Sequence, residues 1–158
     1  MHRPGCTRFS ANSLWRRYEA RFSGIALEVE RSFWEKATIL HTEYHRPADK
    51  PTPDRFSRHY ADTAALAKHP AARQAVDDHE LRSRVVHWKS QFFGSSWANY
   101  DDAKPGTFRL VPPPERLPAL RRDYQAMRDM YLTEPASFDD IVATLADLEK
   151  RINQSGDG

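Results

Sequence analysis

The sequence predicts a mainly α protein, a helical bundle of about five helices with one short extended segment. Three observations support this fold class. Apolar residues recur at intervals of three and four, prolines and capping residues separate these stretches, and no alternating apolar and polar run is long enough for a sheet. The chain of 158 residues is long enough to form one domain with a real core.

The first helix is predicted over about residues 29–45, and Pro47 ends it because the residue before a proline is driven out of the α region. A proline-rich loop follows. The second helix is predicted over roughly residues 54–68, with Asp54 as its N-cap and Pro70 beyond its end. The apolar stripe of the first helix consists of Phe33, Ala37, Leu40 and Tyr44.

Three further helices are predicted, with one short extended piece at Thr107–Val111 between the third and the fourth. The third opens near Asp77, with Glu80 in the capping-box position, and the fifth opens at Ser137, with Asp140 three residues later. Their stripes are Leu81, Val85, Trp88 and Phe92 in the third helix, Leu117, Leu120, Tyr124, Met127 and Tyr131 in the fourth, and Ile141, Leu145, Leu148 and Ile152 in the fifth.

Composition excludes several classes of protein. No apolar run approaches the roughly 18 residues of a membrane span, so nothing is expected to anchor the chain in lipid. The single cysteine, Cys6, is interpreted as a free thiol in a reducing compartment. Residues 1–24 carry five arginines against one glutamate, which leaves the rest of the chain slightly acidic. RNA binding through this arginine-rich start is therefore the weaker hypothesis.

Charged residues also stand beside the apolar stripes. Lys36 lies about 60° from the centre of the first stripe, where a lysine ordinarily extends its ammonium group to water. Asp62 and Arg58 stand beside the stripe of the second helix, and Lys89 stands beside that of the third. If these helices pack together, the charged residues converge on one groove that would suit a phosphate chain.

Two other patterns resemble metal sites, but in each the residues present favour a structural role. His41 and His45 have the i, i+4 spacing of a metal pair, but no third ligand is evident, so they are interpreted as exposed or partly packed histidines at a helix end. The segment GSSWANYDD resembles the start of a polymerase-β type magnesium site. Asp101 and Asp102 are adjacent rather than alternating, so a turn is predicted there.

Four segments in order are similar to one known family. They are ERSFWEKATILHTEYHRP, RFSRHYADTAALA, WKSQFFGSSWANYDDAKPGTFRLVPPP and LRRDYQAMRDMYLTEPASFDDIVATLADLEKRIN. Over about residues 26–153 the chain resembles the C-terminal part of the AbiEii/AbiGii toxin family of nucleotidyltransferases. This resemblance implies a cytoplasmic bacterial toxin of an abortive-infection system, with an antitoxin as partner, a nucleoside triphosphate and magnesium as cofactors, and tRNA as one acceptor.

The resemblance also implies residue roles. Lys36 matches the lysine of the FWEK helix that contacts nucleotide phosphates, and Asp62 matches the aspartate of the RHYxD helix, an active-site residue taken here as catalytic. Arg58 and Lys89 occupy matching positions and are predicted to bind the nucleotide.

The chain departs from the family pattern in one respect. Family members carry the magnesium site in an N-terminal sheet domain, whereas residues 1–25 contain no aspartate. We therefore expect an N-terminal stub at 1–25, a helical region at 26–153, a frayed tail at 154–158, and a truncated enzyme that lacks its metal-binding half. The alternative is a non-catalytic helical module that binds an antitoxin or an N-terminal half.

Overall fold

The computed structural model describes residues 11–156, with side chains from residue 28 onward. This part of the chain contains the α-helices α1 (Ala11–Tyr44), α2 (Ser57–Ala67), α3 (Pro70–Ala75), α4 (His79–Phe92), α5 (Leu117–Met127) and α6 (Phe138–Gln154). Three 3-10 helices accompany them, at Tyr100–Asp102, Pro114–Arg116 and Arg128–Met130. The predicted fold class, a mainly α bundle, is confirmed, with one helix more than expected.

Helix α1 lies at the centre and packs against α2, α3 and α4. Phe33, Trp34 and Ala37 on its inner face are fully buried. The indole of Trp34 meets the ring of Phe108 edge to face, with 5.7 Å between centroids, and its Nε1–H donates to the carbonyl of Ala75 at 2.9 Å. Because a buried indole N–H needs a partner, this hydrogen bond fixes α1 against the end of α3.

Helix α6 agrees with the sequence prediction. Ser137 is its N-cap, and the Ser137 hydroxyl oxygen accepts a hydrogen bond from the backbone N–H of Asp140 at 3.1 Å. The predicted apolar stripe is buried, and α6 packs against α2. An N-cap followed by an apolar residue in every turn is thus sufficient to define a helix that covers the core.

Helix α2 begins three residues later than predicted, and the assignment of Asp54 as its N-cap is wrong. The cap comes from α5, because Asp123 accepts hydrogen bonds from the backbone N–H of Arg55 at 2.7 Å and of Ser57 at 2.9 Å. The Ser57 hydroxyl donates to the same carboxylate. A carboxylate distant in sequence therefore satisfies N–H groups that a local cap would otherwise bind.

The sequence prediction missed α3. Pro70 was expected only to terminate the second helix, and that helix does end before it, at Ala67. Pro70 is also the first residue of α3, with His69 as N-cap accepting a hydrogen bond from the N–H of Ala71 at 3.1 Å. A proline suits this position because the first helical N–H has no partner within the helix.

Helix α4 starts at His79, with Asp78 rather than Asp77 as its N-cap. Only two of the four residues in its predicted apolar stripe are buried. Leu81 and Val85 are buried, whereas Trp88 and Phe92 are exposed and the buried positions include the cations Arg82 and Lys89. The prediction of a continuous apolar stripe is wrong because the described residues leave the last turn of α4 uncovered.

The extended piece predicted at Thr107–Val111 forms no strand with any described residue. Side chains satisfy its backbone instead. Asn153 binds both the N–H and the carbonyl of Phe108, and one carboxylate oxygen of Glu149 accepts from the N–H groups of Leu110 and Val111 at 2.6 and 2.9 Å. Phe108 and Leu110 are buried by this attachment to α6.

The predicted domain boundaries stay a prediction, because part of the proposed stub and of the tail lies outside the described residues. Helix α1 already begins at Ala11, and Gln154 is the last residue of α6. Cys6 lies outside the described part of the chain. None of the described helices combines the length and apolar character that a membrane crossing requires.

Substitution Leu145→Ala should destabilise the bundle strongly. Leu145 is fully buried in α6, so its truncation leaves a cavity and should lower the free energy of unfolding by about 2–5 kcal/mol. The measurement is urea unfolding followed by circular dichroism. Leu132→Ala is the matched control, because Leu132 is fully exposed and its truncation should change stability by less than about 0.5 kcal/mol. Equal effects of the two substitutions would contradict the assignment of α6 to the core.

Candidate functional site

Lys36 and Asp62 lie side by side at the surface where α1 meets α2. Nζ of Lys36 donates to Oδ2 of Asp62 at 2.9 Å. Lys36 follows the buried pair Phe33 and Trp34 by less than one turn, so the packing of α1 directs it to the rim of the core. The lysine side chain is 31% exposed and the aspartate 49%, which leaves both accessible from solvent. Their functional roles stay a prediction.

Lys89 lies near the same rim, on α4. Its side chain is mostly buried, and its Nζ lies 5.2 Å from the ring centre of Phe93. Burial lowers the pKa of the Lys89 ammonium, the charge of Glu35 raises it, and the charge of Lys36 lowers it. The two ammonium groups are therefore close enough to repel each other. No described carboxylate forms an ion pair with Lys89.

His59, which the sequence did not predict as a site residue, lies on α2 one turn before Asp62. Burial lowers the pKa of its imidazole, and the charges of Arg58 and Lys36 lower that pKa further. The charge of Asp62 raises the pKa of His59 and that of Lys89 lowers it, so four charged side chains act on one imidazole. The signal was present in the sequence, because His59 and Asp62 are three residues apart on one helix and share a face. Arg58 itself is exposed.

His41, the first of the two histidines at metal-pair spacing, has a structural role. His41 is fully buried, and its Nδ1 accepts a hydrogen bond from the N–H of Arg109 while its Nε2 lies 3.0 Å from the carbonyl oxygen of Asn99. This pattern requires a neutral ring with the proton on Nε2. Both ring nitrogens are engaged by the backbone, which leaves neither for a metal.

The described residues do not fit a magnesium site. No group of three possible ligand side chains is close enough to hold a metal ion in this part of the chain. Near Asp101 and Asp102 the predicted turn is observed as the 3-10 helix Tyr100–Asp102, and Asp102 accepts a hydrogen bond from the Asn99 amide at 2.8 Å. A pair of carboxylates facing one ion is therefore not formed there.

The charges of four residues, here together called the cationic groove, all act on the imidazole of His59: Lys36, Arg58, Asp62 and Lys89. Asp62 is bound to Lys36 and Glu35 acts on Lys89, so three cations face two carboxylates and one positive charge remains in excess. Ammonium and guanidinium groups without a carboxylate partner are the usual ligands of phosphate oxygens.

A comparison with models of protein families matches residues 13–144 to the family described as Nucleotidyl transferase AbiEii toxin, Type IV TA system. Because the match covers most of the chain, the chain belongs to this family of nucleotidyl transferase toxins. The resemblance stated from the sequence is confirmed. The chain matches none of the curated proteins and none of the solved structures.

Membership in a type IV toxin-antitoxin family implies an antitoxin as partner. The match begins at residue 13, inside α1 and ahead of the predicted boundary at residue 26. It lends no support to the expectation of a truncated enzyme, nor to the alternative of a non-catalytic interaction module.

The Lys36–Asp62 ion pair should contribute little to stability. Both groups are partly exposed, and solvent screening limits such pairs to about 0.2–1 kcal/mol. A double-mutant cycle with Lys36→Ala and Asp62→Ala, measured by urea unfolding, should give a coupling energy in this range. A coupling of several kcal/mol would indicate that the pair exists to hold the bundle together and would argue against a functional role.

Stability should also fall as the pH decreases from 6.5 to 4. Burial lowers the pKa of His41 from 6.5 to about 4, so in this window the unfolded chain binds a proton that the folded chain does not. Above pH 6.5 the His41 ring is neutral in both the folded and the unfolded chain, so it adds no pH dependence to the stability. The loss attributable to His41 should reach roughly 3 kcal/mol.

Two measurements check this pH dependence. Urea unfolding at several pH values gives the slope of stability, and nuclear magnetic resonance of the His41 ring protons gives the pKa directly. A His41 ring that titrates near 6.5 would show that burial does not control it.

Proposed function

We propose that the chain acts as a nucleotidyltransferase toxin whose cationic groove binds the phosphates of a nucleoside triphosphate. The observation that carries this proposal is the contact between Lys36 and Asp62, made in a groove that Lys89 and Arg58 supply with further positive charge. Membership in the nucleotidyl transferase toxin family supports the reaction class. The nucleotide would be transferred to an acceptor such as tRNA, in the cytoplasm, under control of an antitoxin.

Lys36 is suited to a phosphate that arrives from solvent. An ammonium group has three N–H donors, and only one of them is used by Asp62, so two remain for phosphate oxygens. The carboxylate holds the flexible lysine in one position before the ligand binds. This reduces the conformational entropy that the side chain would lose on binding.

Asp62 is proposed as the catalytic residue on the acceptor side. Its Oδ2 is bound to Lys36, while Oδ1 makes no hydrogen bond to a described residue and the side chain is half exposed. A free carboxylate oxygen beside bound phosphate can accept a hydrogen bond from an attacking hydroxyl group and direct it toward phosphorus. Lys36 would thus bind the leaving phosphates while Asp62 orients the attacking group.

Lys89 and Arg58 complete the charge balance. A triphosphate carries several negative charges, and a single lysine compensates only one of them. Lys89 is the stronger candidate of the two for direct contact, because burial weakens its charged form and a phosphate would restore the lost stabilisation. Arg58 is exposed and would act at the rim of the groove.

Magnesium supplies charge neutralisation to phosphoryl transfer when it is bound. Because the described residues do not form a site for it, the roles proposed here belong to Lys36, Asp62, Lys89 and Arg58 alone.

Substitution Lys36→Ala should weaken triphosphate binding. Loss of one charge-assisted hydrogen bond costs about 1.5–3 kcal/mol, which corresponds to roughly 10- to 100-fold in Kd. The measurement is isothermal titration of the whole chain with ATP, GTP, CTP and UTP in turn. The matched control is Lys68→Ala, an exposed lysine at the end of α2 that should leave Kd unchanged.

Asp62→Asn separates binding from catalysis. The substitution removes a negative charge from the groove, so triphosphate binding should be retained while transfer to RNA is lost. If Lys36→Ala binds every triphosphate as the unaltered chain does, the proposed groove is wrong.

A further inference from the structure

Three aromatic side chains at the end of α4 are exposed together. Trp88 is 40% exposed, Phe92 68% and Phe93 59%. The ring centre of Trp88 lies 5.1 Å from that of Phe92 and 5.7 Å from that of Phe93, so the three form one cluster, here called the aromatic platform. An exposed apolar cluster of this kind is costly in water and marks a surface at which something binds.

Cations surround the aromatic platform. The guanidinium of Arg31 lies 6.0 Å from the ring centre of Trp88, and Arg84 lines the shallow groove beside that ring. Lys89 lies over Phe93 at 5.2 Å. The one carboxylate lining this groove is that of Glu35, which is paired with Arg31 at 2.9 Å. Arg84 and Lys89 form no ion pair with a described residue, and aromatic rings beside such cations match a ligand with both flat π faces and negative charge.

The aromatic platform is continuous with the cationic groove. Lys89 belongs to both, since its Nζ covers Phe93 while the charge of Lys36 acts on its ammonium group. On α1, Glu35 and Arg31 precede Lys36, and Arg31 reaches the ring of Trp88. A ligand on the aromatic platform would therefore lie next to a nucleotide in the cationic groove.

We propose that the aromatic platform stacks the unpaired bases at the end of a single-stranded polynucleotide, which is the acceptor chain, while Arg31 and Arg84 contact its phosphates. This inference rests on the proposed function, because it assigns the acceptor to a surface beside the same site. Three rings on an open surface offer more area than one base covers, so they suit successive bases of a chain. A free mononucleotide has one base and would cover only part of this surface. A duplex conceals its base faces and could not use the rings.

The test is binding of a labelled single-stranded RNA of about 12 nucleotides to the whole chain, measured by fluorescence anisotropy. Trp88→Ala and Phe92→Ala should each weaken binding about tenfold, whereas Trp88→Phe, which keeps a stacking ring, should stay within about threefold. Leu132→Ala is the matched control, because it removes a fully exposed apolar side chain outside the platform and should have no effect. Circular dichroism of each variant confirms that the fold is kept.

Salt dependence separates the two kinds of contact. Arg84→Ala should reduce the slope of log K against log salt by about one, because one phosphate contact is lost. Trp88→Ala should weaken binding without changing that slope, because stacking releases no counterions. The same oligonucleotide as a duplex should bind without any effect of the aromatic substitutions, and a DNA version reports whether the 2′-hydroxyl contributes.

Three results would overturn the inference. Trp88→Ala and Phe92→Ala could bind single-stranded RNA as the unaltered chain does, or the aromatic substitutions could weaken duplex binding equally. The aromatic substitutions could also leave RNA binding intact and abolish binding of the antitoxin, which would make the platform a protein interface. Triphosphate titration of the same variants keeps the two proposals apart, because Lys36→Ala tests the cationic groove and Trp88→Ala tests the platform.

Discussion

Burial of Phe33 and Trp34 is the constraint on which the other features depend. The hydrogen bond from the Trp34 indole to Ala75 and the edge-to-face contact with Phe108 fix the rotation of α1 about its own axis. Because Lys36 lies on the shoulder of that buried face, the rotation that seals the core also determines where its ammonium group points. The same helix therefore serves as the centre of the bundle and as one wall of the cationic groove.

The groove is assembled from three helices that contribute different physical properties. Helix α1 supplies an ammonium group held in position, α2 supplies the carboxylate that holds it, and α4 supplies a lysine whose surroundings disfavour its charge. Ion pairs that are half exposed stabilise a fold only slightly. The contact between Lys36 and Asp62 is therefore not what holds the bundle together.

The sequence was informative where local rules decide the outcome. The Ser137 cap and the stripe of α6 follow from spacing alone, and helical spacing also brings Lys36 and Asp62 to the shoulders of their stripes. The sequence-based prediction was wrong where side chains distant in sequence bind the backbone. Asp123 replaces a local cap on α2, and Glu149 and Asn153 replace the neighbouring strand that an extended segment would otherwise need. Trp88 and Phe92 were misassigned to the core because periodicity shows that a face is apolar, not that anything covers it.

The cap of α2 by Asp123 has a consequence for the order in which the protein forms during synthesis. The ribosome releases α1 and α2 long before α5, so the first N–H groups of α2 lack their carboxylate until most of the chain has emerged. Helix α2 carries Asp62, the partner of Lys36. The last contacts that fix the start of α2, the helix that carries Asp62, are therefore made only when α5 packs against it.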